Sequence, residues 1–90
     1  MLTRPQQASG LIVEEMGDEI VAFVPSSGRT VVLNAVGGAV LEFCDGKRSP
    51  AQIAAEIVAV LPADLTRVTE DVNATLDEYA ALGLVNDATT

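Results

Sequence analysis

The hydrophobic period of this chain changes once, at Leu33-Asn34, and that change decides what each side of it can fold into. Ahead of it lie three short runs rich in Val, Ile and Phe, Leu11–Glu15, Ile20–Val24 and Thr30–Leu33, separated by Gly17-Asp18 and by Pro25-Ser26-Ser27-Gly28. Strand-sized runs with turn-sized gaps predict a three-stranded antiparallel meander. Behind it apolar residues recur about every 3.6 positions, and the remainder reads as three helices. The fold class is therefore α+β. Ile20, Ala22 and Val24 are apolar, and so are Val21 and Phe23 on the opposite parity, so the helices have sheet surface to cover.

The helix boundaries carry local signals. Asn34 is a good N-cap for a first helix that places Val36, Val40, Phe43 and Cys44 on one face and ends at Asp45-Gly46. Ser49-Pro50-Ala51-Gln52 combines a capping Ser, a Pro at the first helical position and a Gln where a capping box requires one, after which Ile53, Ile57, Val60 and Leu61 align and Pro62 stops the helix. The third helix is expected from about Leu65 to Leu82, with Leu65, Val68, Val72, Leu76, Tyr79 and Leu82 as its apolar stripe and Gly83 as its stop. Leu84-Val85 should fold back onto the core. Residues 1–10 read as a flexible N-terminal tail, 11–85 as the domain and 86–90 as a frayed C-terminus.

Charge and composition exclude several functions. The 90 residues contain 13 Asp+Glu against 5 Lys+Arg, a formal net charge of −8, whereas a nucleic-acid binder needs a basic face that displaces counterions. The same sign disfavours an anionic membrane surface. No His is present to act as an acid–base group or zinc ligand, and one Cys cannot form an internal disulfide or a thiolate cage. With no export signal and no long apolar run, a cytoplasmic protein without cofactor or metal is expected.

The residues suggest no catalytic constellation. Gly37-Gly38 follows a strand, but without further phosphate-loop residues it reads as close helix packing. Cys44 lies on the apolar face with no His to activate it and reads as a small buried hydrophobe. The pairs Glu70-Asp71 and Asp77-Glu78 are sequence neighbours on a helix, so they point about 100° apart and do not form a dyad. An acyl or peptidyl carrier would present Ser after Asp at a helix start; none of Ser9, Ser26, Ser27 and Ser49 follows an Asp.

What remains is a binding surface. The outer strands of a three-stranded sheet expose backbone N–H and C=O groups, which proteins usually blunt with charge or Pro. The first run carries Glu14 and Glu15, while Thr30-Val31-Val32-Leu33 has only Arg29 at its mouth. That edge is either left open for another strand or covered by the chain's own third helix or tail.

Val32-Leu33-Asn34, the run Gly37 to Gly46, Ser49-Pro50-Ala51-Gln52-Ile53-Ala54, Glu70-Asp71-Val72 and the closing Leu82-Gly83-Leu84-Val85 together resemble the PqqD-like family, the peptide-recognition elements of ribosomal natural-product (RiPP) biosynthesis. The resemblance covers about residues 11–85. It implies a winged-helix-like domain, three strands followed by three helices, that captures the leader segment of a precursor peptide by strand addition and presents it to a modifying enzyme of the same pathway. By position it assigns the leader contacts to Thr30, Val31, Val32 and Leu33, with Asp71, Thr75, Glu78 and Leu82 as the opposite wall. Unlike many relatives, the chain has no aromatic residue just before Leu33-Asn34 and no Trp in the first helix.

Two other readings share this fold. A winged-helix transcriptional regulator would need cations on the third helix, where residues 65–82 contain only Arg67 against Glu70, Asp71, Asp77 and Glu78. A structural dimerisation domain would use the open edge for a second copy.

Overall fold

A computed structural model describes residues 2–88. The meander forms as the sequence predicts. Strands β2 (Ile12–Met16), β3 (Glu19–Val24) and β4 (Arg29–Leu33) pair antiparallel in the order β2-β3-β4. Three helices follow, α1 (Ala35–Glu42), α2 (Pro50–Val60) and α3 (Leu65–Leu82), so the domain is α+β.

Each helix starts where a side chain satisfies a free backbone donor. Asn34 Oδ1 accepts from the Gly37 N–H at 2.7 Å, and Asp64 Oδ1 accepts from the Thr66 N–H at 3.3 Å. At α2 the capping box is complete. Ser49 Oγ accepts from the Gln52 N–H, and Gln52 Oε1 accepts from the Ser49 N–H at 2.8 Å. Gly83 ends α3 in the left-handed region at φ 80°, where an L side chain would be strained.

The helices cover one face of the sheet. Ala22, Val24 and Leu33 from the strands meet Val40 and Leu41 of α1, Ile53 and Ile57 of α2, and Val72, Leu76 and Tyr79 of α3, all buried. Cys44 belongs to this core at 2% exposure, its thiol donating to the Val40 carbonyl at 3.1 Å. The opposite sheet face, with Ile12, Met16, Phe23 and Val32, stays exposed. An envelope of 35 × 35 × 18 Å suits this pair of layers.

The structure revises several expectations. Residues 1–10 are not merely a tail, because Pro5–Gln7 forms strand β1, antiparallel to β5 (Val85–Asp87). Backbone bonds from the Gln7 N–H to Cys44 O and from the Ala88 N–H to Arg4 O hold this clasp, and the Gln7 amide donates to Leu41 O at 2.9 Å. Residues 86 and 87 are likewise paired rather than frayed, while Thr89, Thr90 and Met1 lie outside the described residues. Val36, Val60, Leu61 and Leu65, all expected on buried stripes, are exposed, since they sit at helix ends beyond the reach of the neighbouring element.

Candidate functional site

Strand β4 is a sheet edge. It pairs with β3 on one side, and among the described residues no strand lies on the other; the N-terminal segment is occupied with β5 instead. Which backbone groups face outward follows from the hairpin loop. Val24 pairs with Arg29 across Pro25–Gly28. The Ser27 and Gly28 N–H groups both donate to the Val24 carbonyl, at 3.2 and 2.8 Å, so that carbonyl turns toward β4 and Val24–Arg29 is a hydrogen-bonded pair. By alternation Ala22–Val31 and Ile20–Leu33 are also hydrogen-bonded pairs. The N–H and C=O of Thr30 and Val32 then point away from β3, into the open edge.

A groove runs from the end of this edge to α3. Its cavity of about 270 Å³ has Val32, Leu33 and Asn34 on one side and Thr75, Glu78 and Tyr79 on the other. The first turn of α1 forms the floor. There the Tyr79 hydroxyl donates to the Gly37 carbonyl at 2.9 Å. A Cβ at position 37 would lie 2.7 Å from that hydroxyl, so the expected close packing at Gly37 sets the groove's base. Gly38 serves the sheet side, because a Cβ there would overlap Ile20 Cδ1. Burial, reinforced by the Glu78 and Cys44 charges, pushes the Tyr79 phenol up to about 12, so it remains a donor at neutral pH.

Beside this groove lies a second cavity of about 220 Å³ among the three helices. It shares Val36, Val40 and Thr75 with the first, and Asp71 stands on its rim. No ion pair joins Asp71 to Arg67 one turn earlier.

Of the residues assigned from the sequence, Val32, Leu33, Thr75 and Glu78 line the groove together. Thr30 and Val31 continue β4 beyond it, opposite Phe23 and Ala22. Asp71 joins Thr75 at the second cavity. Leu82 lines neither and packs half-buried against the core. Sequence reasoning did not place Asn34, Val36, Gly37 and Tyr79 at this site, having given them capping, core and packing roles. The adjacent glycines were the one signal of a close approach here. Nor did it find the second cavity, whose lip is the α2–α3 connection.

Among the described residues the groove is lined by no thiol and no metal-binding cluster. Burial, with the Asp45 charge as a lesser cause, pushes the Cys44 thiol up to about 12, and no group of His, Cys, Asp and Glu among the described residues could hold a metal ion. What it offers is main-chain donors and acceptors beside an acidic wall.

Comparison with known proteins gives the fold a family. Two solved chains share it, each at a TM-score of 0.79. The first, described as TbiB1 in complex with the TbiA(beta) leader peptide, is 22% identical, over 90% of this chain and 94% of that one. The second, a lasso peptide synthetase B1 complexed with the leader peptide, is 17% identical over 92% and 98%. No match was found among curated proteins. Residues 19–85, from the start of β3 to the start of β5, match the model of Coenzyme PQQ synthesis protein D, and the chain accordingly belongs to the PqqD family.

Proposed function

We propose that this chain captures the leader segment of a ribosomally made precursor peptide by strand addition to β4 and presents it to a modifying enzyme of the same pathway. One observation carries the reading: the outward N–H and C=O groups of Thr30 and Val32 form an open sheet edge that leads, at Val32, into a groove whose far wall is α3. Added strands take their affinity from such main-chain bonds and their selectivity from side-chain pockets. The presence of leader peptides in the two similar solved chains supports the same reading. In it Val31 and Leu33 hold the edge in register, Thr75 and Glu78 face the peptide across the groove, Asp71 stands near one end, and Leu82 props α3 from the core. The chain acts by binding, and the chemistry belongs to the enzyme it serves.

Amide exchange tests the assignment. Dodecapeptides selected from a random displayed library against the folded chain should slow exchange at Thr30 and Val32 and shift the resonances of Thr75 and Glu78. Protection confined to the β2 edge or to the exposed sheet face would overturn it.

A further inference from the structure

We infer that strand β2 is a second docking edge, which receives an extended segment bearing Lys or Arg from a partner protein while β4 holds its peptide. That the two edges serve different partners rests on the reading above; the β2 edge itself rests on geometry. β2 and β4 are the two outer strands of one sheet, so occupancy of one leaves the other free. Among the described residues no strand lies outside β2, and no backbone bond beyond the sheet reaches Val13 or Glu15. The two-residue loop Gly17-Asp18, with Gly17 at φ 66°, closes the hairpin on Met16–Glu19 as a hydrogen-bonded pair. By alternation Glu14–Val21 and Ile12–Phe23 are hydrogen-bonded pairs too, which leaves the N–H and C=O of Val13 and Glu15 pointing outward. Their side chains share the helix-covered face with their partners Ala22 and Ile20. There a cavity of about 270 Å³ lies between the edge and α1, with Val13 and Glu15 on one side, Gly38, Leu41 and Glu42 on the other, and Gln7 of the clasp completing it.

Charge selects the occupant. Residues 12–24 of the hairpin include Glu14, Glu15, Asp18 and Glu19 and no Lys or Arg, and Glu42 adds a carboxylate across the cavity. A second copy paired through its own β2 would bring Glu14 and Glu15 of both chains together, and like charges on facing strands are destabilising. The β4 strand of a second copy offers Arg29-Thr30-Val31, but it would give up its own peptide edge and join two chains of net charge −8. A partner strand with Lys or Arg opposite Glu15 and an apolar residue opposite Val13 meets both positions. The sheet is antiparallel throughout, so in a strand added in the same sense the cation precedes the apolar residue by two positions. The aliphatic stem of that cation covers Leu41 and Gly38 while its head lies by Glu15 and Glu42. The carboxylates that blunt this edge against neutral strands and against further copies of the chain thereby choose its partner.

Selection of displayed random dodecapeptides against the Val32→Pro variant, whose β4 edge lacks a donor, tests this, with the binders synthesised and retested on the wild-type chain. They should share a Lys or Arg two positions before an apolar residue and slow amide exchange at Val13 and Glu15. Glu15→Lys and Val13→Pro, both at exposed positions, should each weaken them by about fivefold or more, and high salt should weaken them too. A saturating peptide that protects Thr30 and Val32 should leave their affinity unchanged. Binders without a basic residue, binders indifferent to both variants, or competition between the two peptides would overturn the second edge while strand addition to β4 stands. Sedimentation of the chain without peptide should give the mass of one copy; a larger mass reduced by Val13→Pro would make a second copy the occupant and overturn the assignment to a partner protein. Protection of Val13 and Glu15 by these binders, with no peptide protecting Thr30 and Val32, would keep this edge and remove strand addition at β4.

Discussion

The Tyr79 hydroxyl reaches the Gly37 carbonyl at 2.9 Å, across a gap that no side chain at position 37 could share. This contact ties α3 to the first turn of α1 and sets the depth of the groove between them. Tyr79→Phe should cost about 1 kcal/mol. Gly37→Ala should also destabilise, although Ala is favoured over Gly in a helix by about 1 kcal/mol, because its Cβ displaces the hydroxyl. In the double variant the Ala substitution should cost less than it does alone. Urea unfolding of the four proteins reads this coupling, and strictly additive costs would show that the two residues act independently.

Proline scanning of β4 should separate its two sides. Val32→Pro removes a donor from the open edge, so stability should change by about 0.5 kcal/mol or less while peptide affinity falls about fivefold or more. Val31→Pro removes a donor aimed at Ala22 and should destabilise the sheet by roughly 1–3 kcal/mol. Similar unfolding midpoints for the two variants would contradict the assigned alternation.

Salt should reveal whether the acidic wall takes part in recognition. Asp71 lines a cavity wall and Asp77 lines neither cavity, although both are exposed on α3. For a peptide with Lys or Arg near the groove, Asp71→Asn should cost about two- to fivefold in affinity at low salt and reduce the salt dependence. Asp77→Asn should change neither quantity. Equal effects in titrations at low and high salt would make the carboxylates a general solubility feature.

Alkaline pH should weaken the fold through its core. The Cys44 thiol is pushed from 9.0 up to about 12, chiefly by burial. A thiol whose folded value is raised favours the folded state while protonated; that contribution is whole below pH 9 and is lost as pH rises toward 12. Tyr79, raised from 10.0 to about 12, adds to the loss from about pH 10 upward. Urea midpoints should therefore fall above pH 9, less steeply in Cys44→Ala, and thiol-reactive dye should label the native protein only as fast as it opens. Rapid labelling at pH 8 would count against the burial.

Asn34, the Ser49–Gln52 box and Gly83 were legible in the sequence because each solves a local problem, a free donor or acceptor at a helix end, with residues a few positions away. The edge strand was legible for a similar reason, since lack of charge or Pro is written in the strand itself. β1 and β5 were not, because three-residue strands have no period to detect and Pro5-Gln6-Gln7 finds its partner only after the whole domain has folded. Periodicity placed Val36 and Leu65 on apolar stripes, but it does not say where a neighbouring helix stops covering that stripe. Of the site, Val32, Leu33, Thr75 and Glu78 were identified together, whereas Tyr79 and Asn34 were hidden by the structural roles they also perform.

The open edge of β4 makes no distinction of its own between a leader peptide and any other extended chain, including the same strand of a neighbouring molecule. Edge-to-edge pairing is the first step of sheet aggregation. The net charge of −8 then acts as colloidal insurance, keeping copies apart at neutral pH, where small peptides can still enter. Near the isoelectric point of about 4.1 that repulsion vanishes, and the strand that receives the peptide becomes the place where precipitation starts.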